Sequence, residues 1–341
     1  MIDERKQRIL QAIIDDYISS AEPVGSRTLA RKHDLGVSPA TIRNEMADLE
    51  MLGYLEHIHT SSGRIPSSKG YRFYVDGLIP PKPVTDEERA LIDRWYKARV
   101  KRIDEVFQET ARLISQVTRN VSMVLAPQVS QAAFRCLQFL PLDEQRVIAV
   151  IMTDAGFVEN KIVGMPSGAT FEDFQRMAGV INHCLAGCTL RSIQGPALKQ
   201  IRDEIREESL YEAALEVIQR ALDSEKRERL YLGGTRHMLE QPEFHDVEKI
   251  KDILLMLEEE ELIKDILHAH MGDGLEVTIG QENENRRIKD CSIITATYHL
   301  DGELLGTIAV LGPTRMEYAK AMSLLEYMNT NLADVIRRFH W

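Results

Sequence analysis

Cysteine is scarce in this chain. Cys136, Cys184, Cys188 and Cys291 are the only four among 341 residues, and their scatter matches no disulfide framework. That sparseness suits a reducing compartment. Long hydrophobic runs are missing as well: a run such as Val147–Met152 is far shorter than a membrane span. The opening residues, Met-Ile-Asp-Glu-Arg-Lys-Gln-Arg, lack the apolar core of a secretory signal. A cytoplasmic protein with no membrane partner is the expectation. The chain also lacks a Walker-type glycine-rich phosphate loop and any GxGxxG after a strand, which removes the commonest nucleotide-binding signatures.

A further absence is local. Carboxylates outnumber Lys and Arg by 53 to 42, for a formal net charge of −11, which taken as a sum argues mildly against a nucleic-acid partner. Yet no carboxylate occurs between Glu56 and Asp76, where Arg64, Lys69 and Arg72 stand among serines and glycines. A segment lying against a polyanion must avoid acid, so this window is an electrostatic footprint inside an acidic protein. The alternative is a solvated loop with chance charge.

What precedes the window supports the first reading. From Asp3 to Ser20, Ile9, Ile13 and Tyr17 form one row and Leu10, Ile14 and Ile18 the next, the stripe of an amphipathic helix. Pro23 and Gly25 break it, and Ser26 is placed to cap a short helix over Arg27 to His33. After the turn Asp34-Leu-Gly-Val, Ser38 caps a third helix with Pro39 at its first position, running to Leu52, and Gly53 stops it. Strands are expected at Tyr54–Thr60 and Arg64–Pro66 around a tight turn at Ser61-Ser62-Gly63, with Gly63 in the left-handed conformation. Three helices and a hairpin form the winged helix-turn-helix pattern.

On the third helix, Ile42, Met46 and Leu49 point inward. Ala40, Asn44 and Ala47 lie opposite, flanked by Thr41 and Arg43. Small residues let a helix approach closely, Asn can read adenine, and Arg can read guanine or hold phosphate. Alone, this face could equally belong to a plain surface helix; the helix before it and the hairpin after it favour DNA. Ser26 and Arg27 suit a phosphate contact, and Ser61, Ser62, Arg64, Lys69 and Arg72 suit a basic wing, with Arg64 projecting from its tip. Together with Ser38 these residues form the expected DNA-binding set.

Pro80, Pro81 and Pro83 then mark a stiff linker. Helical spacing covers Asp86 to Arg119, and a short strand Val121–Ala126. Three closely spaced strands, Cys136–Leu140, Val147–Thr153 and Val158–Met165, suggest an antiparallel meander. Helices follow at Phe171–Leu185, Ile201–Leu222 and Val247–His268. Strands at Leu275–Gly280, Ser292–Leu300 and Leu304–Leu311 come next, the last two around the hairpin signal Asp301-Gly302, and a helix at Met316–Phe339 closes the chain. No catalytic, cofactor or metal site is expected. Cys184, Cys188 and His183 sit in an apolar helical segment and read as packing, and His268 and His270 lack further ligands nearby. The Glu258–Glu261 run reads as a solvated face.

Val24-Gly-Ser-Arg-Thr-Leu, Ser38-Pro-Ala-Thr-Ile-Arg-Asn-Glu-Met, Leu49-Glu-Met-Leu-Gly-Tyr-Leu and His59-Thr-Ser-Ser-Gly-Arg-Ile-Pro-Ser-Ser-Lys-Gly-Tyr-Arg resemble the HrcA family of heat-inducible transcription repressors. The likeness continues in Tyr231-Leu-Gly-Gly-Thr-Arg, Gln241-Pro-Glu-Phe and Leu311-Gly-Pro-Thr-Arg-Met-Glu-Tyr, and so covers nearly the whole chain. It is least distinctive from Phe134 to Arg229. The resemblance implies an α+β multidomain fold: a winged helix-turn-helix at 1–80, a linker at 81–87, and a GAF-like domain at 88–130 and 236–341. An α+β dimerisation domain is inserted at 131–235. It implies a homodimeric repressor of chaperone operons that binds the inverted repeat CIRCE in double-stranded DNA. The chaperonin GroEL would maintain its active form, a coupling that comes from the resemblance alone. GAF-like folds often hold small ligands, so a ligand-responsive regulator stays open as a second reading, with a metabolite-binding enzyme a weaker third.

Overall fold

In the computed structural model, Asp3 opens α1 (Glu4–Ser20) by accepting the Lys6 amide on its carboxylate at 2.8 Å. Residues 2–57, 63–80, 82–99, 103–126, 133–154, 158–189, 192–193, 195–225, 228–270, 272, 274–300 and 303–337 are described. Ile9, Leu10, Ile13 and Ile14 bury one face of α1, and the helix ends where Ala21 turns left-handed at φ 57°. α2 (Ser26–Lys32) contributes the buried Leu29, and α3 (Pro39–Met51) contributes Ile42, Met46 and Leu49 to the same core. Gly53, at φ 79°, turns the chain out of α3 into β1 (Leu55–His57). β1 pairs antiparallel with β2 (Arg64–Pro66), Glu56 opposite Ile65. Residues 58–62, which hold the end of the expected strand Tyr54–Thr60 and Ser61 and Ser62 of the expected turn, lie outside the described residues.

Three local expectations are corrected here. Ser26 is the first residue of α2 rather than its cap: Gly25 holds the cap position and no side chain caps the helix. Gly63 is not left-handed. Its lack of a side chain serves close approach instead, because a Cβ there would stand 2.7 Å from the Pro23 carbonyl carbon and oxygen. The β1–β2 pair is also followed at once by a helix, α4 (Ser68–Gly77). Ser67 caps it, accepting the Gly70 amide at 3.0 Å while donating to the Gly53 carbonyl at 2.6 Å.

Part of the expected linker 81–87 packs against the rest of the chain. Val84 is buried, and Lys82 pairs with Glu317 at 2.7 Å. α5 (Asp86–Arg99) and α6 (Ile103–Thr118) stand where one helical stretch was expected. After β3 (Val121–Ala126), the meander β4 (Phe134–Pro141), β5 (Arg146–Thr153) and β6 (Val158–Gly164) forms its own antiparallel sheet, as its spacing predicts. One face carries Leu137, Val147, Ala149, Ile151 and Val163 into a separate core with α7 (Phe171–Leu185), α8 (Gly195–Glu204) and α9 (Glu208–Glu225).

β7 (Arg229–Gly233), which falls inside the expected insertion 131–235, returns to pair with β3. With β8 (Leu275–Ile279), β9 (Cys291–Leu300) and β10 (Glu303–Pro313) it completes a five-stranded sheet in the order β7-β3-β10-β9-β8, every pair antiparallel. Val124, Ala126, Ile294, Ala296, Ile308 and Val310 face α6 and α12 (Tyr318–Arg337). Alternate residues Met123, Leu125, Ile293, Ala309 and Leu311 face α10 (Val247–Glu258) and α11 (Glu260–Ala269), where one long helix was expected. The turn Asp301-Gly302 lies outside the described residues. The N-terminal core continues into this layer: the Tyr71 and Tyr318 rings stand 5.8 Å apart, and Arg315 donates to the Ile18 carbonyl at 2.8 Å.

Candidate nucleic-acid interface

α3 is held at both ends. Ser38 Oγ accepts the Thr41 amide at 3.1 Å, with Thr41 Oγ1 3.0 Å away, and Pro39 follows at the first position, where a missing N–H leaves no orphan donor. At the other end Lys69 Nζ donates to the Leu52 carbonyl at 2.8 Å and lies 4.6 Å from the centre of the Tyr54 ring. The helix is therefore a fixed rod. Its outward face presents Ala40, Arg43, Asn44 and Ala47, all exposed, with Thr41 partly covered at the margin.

Arg43 is available for a reason legible in the sequence. The positions three and four residues away are Pro39, Ala40, Met46 and Ala47, so no acid of its own helix can pair with it. Among the described residues neither Arg43 nor Asn44 makes a side-chain hydrogen bond or ion pair. On α2, Arg27 and Arg31 are both exposed, one helical turn apart, and Ser26 is partly covered. Arg31 was not anticipated, although its spacing from Arg27 is a readable signal.

The wing cations are placed otherwise than expected. Arg64 does not project from a tip. Its backbone bridges Val24 in both directions, at 2.9 and 3.0 Å, and its Nε donates to Glu50 at 2.6 Å. Lys69 is exposed but belongs to α4, where it caps α3. Arg72 is held by carboxylates: Nε donates to Glu282 at 2.9 Å and Nη1 to Asp76 at 3.2 Å. The acid-free window thus serves packing around α3 and α4 as much as it lightens a surface.

A cation outside the window was missed. Lys6 on α1 reaches across to α3, with Nζ 2.7 Å from Glu45 and 3.2 Å from Asp48. Glu45 first, then Asp48, hold the Lys6 ammonium above the ordinary lysine range. The signal is faint in one dimension: three carboxylates on α3 require counter-charges, but only the fold shows which helix supplies them.

Among the described residues no group of three or more His, Cys, Asp or Glu is gathered as a metal site, and no helix is long and apolar enough to cross a membrane.

Known proteins match along the whole chain. Residues 104–322 fit the family described as HrcA protein C terminal domain. The heat-inducible transcription repressor HrcA of Symbiobacterium thermophilum is 44 % identical, covering 99 % of this chain and 100 % of the relative. That of Desulfitobacterium hafniense is 46 % identical over 98 % of each. A solved structure described only as a hypothetical protein superposes with a TM-score of 0.68 over 99 % of this chain and 98 % of that one; at 21 % identity it shows a shared fold. A capped helix with an open Arg-Asn face, a following hairpin and full-length identity of this order place the chain in one group: it belongs to the HrcA family of heat-inducible transcription repressors, regulators rather than enzymes.

Proposed function

We propose that this repressor binds an inverted-repeat operator, the family's CIRCE element, as a homodimer, with α3 in the major groove of each half-site. The observation that carries the reading is the outward face of α3. Two alanines allow close approach, and Arg43 and Asn44 stand exposed between caps that fix the helix. Ser38 and Thr41 sit at the helix start, the end that meets base edges in helix-turn-helix readers. Arg27, joined by Arg31, lies beside it for phosphate contact, while Ser61 and Ser62 on the wing turn are assigned to phosphate by residue type. Arg64 and Lys69 support the helix through Glu50 and the Leu52 carbonyl, and Arg72 leaves the contact set because Glu282 and Asp76 hold it.

One recognition helix reads a short half-site, and a two-fold pair matches an inverted repeat. The outer face of the meander supplies a surface for that pairing. Leu140, Ile148 and Ile162 form one cross-strand row, and Cys136, Met152 and Val158 another. Leu140 is 49 % and Ile162 53 % exposed, so two largely apolar rows, separated by the row Gln138, Val150 and Asn160, lie on the outer face of the single chain. Modulation by the chaperonin GroEL belongs to the proposal through family membership.

The test is a binding titration of the full chain on a duplex bearing the inverted repeat and on a scrambled duplex. Arg43→Ala and Asn44→Ala are each expected to lose about 1–3 kcal/mol of discrimination, the usual worth of a base contact. Full discrimination in both variants, with normal folding, would remove α3 as the reader.

A further inference from the structure

α3 is an acidic helix. It carries one cation, Arg43, and three carboxylates, Glu45, Asp48 and Glu50. At roughly 100° per residue, Asp48 and Glu50 lie about 80° to either side of the outward face, and Glu45 lies further round on the Asp48 side. Left bare, both flanks would repel the phosphates of a groove into which the helix is inserted.

Neither flank is bare. On one side Lys6 Nζ stands between Glu45 and Asp48, at 2.7 and 3.2 Å, and Arg5 adds a contact to Glu45 at 3.5 Å. On the other side Arg64 Nε holds Glu50 at 2.6 Å. The cations come from different elements, α1 and β2, so the third helix is bracketed by charge from both neighbours. Lys6 and Glu45 have side chains only 17 % and 12 % exposed, which fixes that pair more firmly than a rim contact; Arg64 and Glu50 are 20 % and 33 % exposed, and Asp48, at 48 %, is the open partner.

We infer that Lys6 and Arg64 are positioning residues for DNA binding that neutralise the carboxylates flanking the reading face of α3, so that a helix with a net negative sequence can enter the groove of a polyanion. The inference rests on α3 being the DNA-facing helix. It assigns Lys6 no phosphate contact of its own; its effect on DNA runs through Glu45 and Asp48. It also accounts for Arg43 standing free, since every acid of its helix is already engaged.

The test is fluorescence anisotropy of the full chain on the inverted-repeat duplex and a scrambled duplex, at two salt concentrations. Lys6→Met is expected to weaken binding to both duplexes by roughly tenfold at low salt and by less at higher salt, as one positive charge lost from beside Glu45 and Asp48 near a phosphate would. Lys6→Arg should bind as wild type. Glu45→Gln with Asp48→Asn, in the presence of Lys6, should bind at least as tightly as wild type, a result that a purely structural pair would not produce. Combining those two changes with Lys6→Met should restore affinity to within about twofold of wild type.

A triple variant as weak as Lys6→Met alone overturns the inference, as does weakened binding by the Glu45→Gln, Asp48→Asn double. Should Lys6→Met fail to fold, the other flank decides by the same logic: Arg64→Gln weakens binding and Arg64→Gln with Glu50→Gln recovers it, or the inference fails. Arg43→Ala and Asn44→Ala run in parallel separate the two levels. If they too leave binding unchanged, the assignment of α3 is at fault; if they impair it while the Lys6 series shows no rescue, the charge-neutralising role alone is wrong.

Discussion

Arg72 on α4 donates from Nε to the Glu282 carboxylate at 2.9 Å, and the same carboxylate accepts the Ile279 amide at 2.7 Å. A residue of the N-terminal helical region is thereby tied to the turn after β8, on the edge of the five-stranded sheet. Burial pushes the Glu282 carboxyl up, but the Arg72 guanidinium and the Ile279 amide bring it below its ordinary value of 4.5 overall. A carboxyl lowered on folding stabilises the native state above its unfolded pKa, and that stabilisation is lost as pH falls through the folded value. Thermal melts of wild type and Glu282→Gln should therefore differ most at neutral pH and converge below pH 4.5. A gap of constant size across that range would assign the effect to packing rather than charge.

Lys69 offers a prediction that departs from the basic-edge reading of the sequence. Its ammonium closes the carbonyl end of α3 through Leu52, so its loss falls first on the helix. Lys69→Met should lower stability by about 0.3–1 kcal/mol, the usual worth of a cation at a helix C-terminus. The slope of log affinity against log salt should stay as in wild type, and a slope reduced by about one would return Lys69 to the phosphate contacts.

Gly63 and Gly77 make a matched pair. A Cβ on Gly63 would meet the Pro23 backbone at 2.7 Å, whereas one on Gly77 would meet nothing within 4 Å. Neither glycine is left-handed, so space alone separates them. Gly63→Ala is expected to cost about 1–3 kcal/mol as the wing is forced from Pro23. Gly77→Ala should be neutral or stabilising by about 0.4–1 kcal/mol. Denaturant melts of the two variants decide it, and equal behaviour would mean that the wing yields to the added methyl.

The elements that were legible share a physical signature. α1, α3 and α7 combine a capping residue with apolar positions at helical spacing, and their observed ends fall within one residue of expectation. The missed α4 holds Gly70 near its start, a poor helix former. Its selection is tertiary: a Cβ at position 70 would run into the Tyr54 carbonyl, so only glycine lets α4 sit there. β7 was hidden because Arg229–Gly233 is a short edge strand whose partner, β3, lies a hundred residues earlier in the chain. Breaks at Glu259 and between Glu204 and Glu208 interrupt patterns whose apolar period runs on through them. At the interface, the residue types on α3 and the Arg72–Asp76 spacing on α4 were readable, while Glu50 beside Arg64, the Leu52 carbonyl beside Lys69 and Glu282 beside Arg72 were not, because each of these lies on another element.

The last prediction concerns pairing of two chains. Along β5, Val147, Ala149, Ile151 and Thr153 are buried, while Ile148, Val150 and Met152 alternate to the other face. Ile148 is the centre of an outward row, with Leu140 on β4 and Ile162 on β6 directly opposite it. An aspartate there would face solvent in a single chain and disturb little of the inward core. In a dimer joined through this face it would stand buried without a counter-charge, which is strongly unfavourable. Ile148→Asp should therefore sediment as a monomer with unchanged circular dichroism. Its affinity for the inverted repeat should fall by about 10²–10⁴, because the second half-site contact loses the effective concentration that the partner supplies. Affinity for an isolated half-site should stay as in wild type. A variant that still sediments as a dimer would move the pairing surface off this sheet.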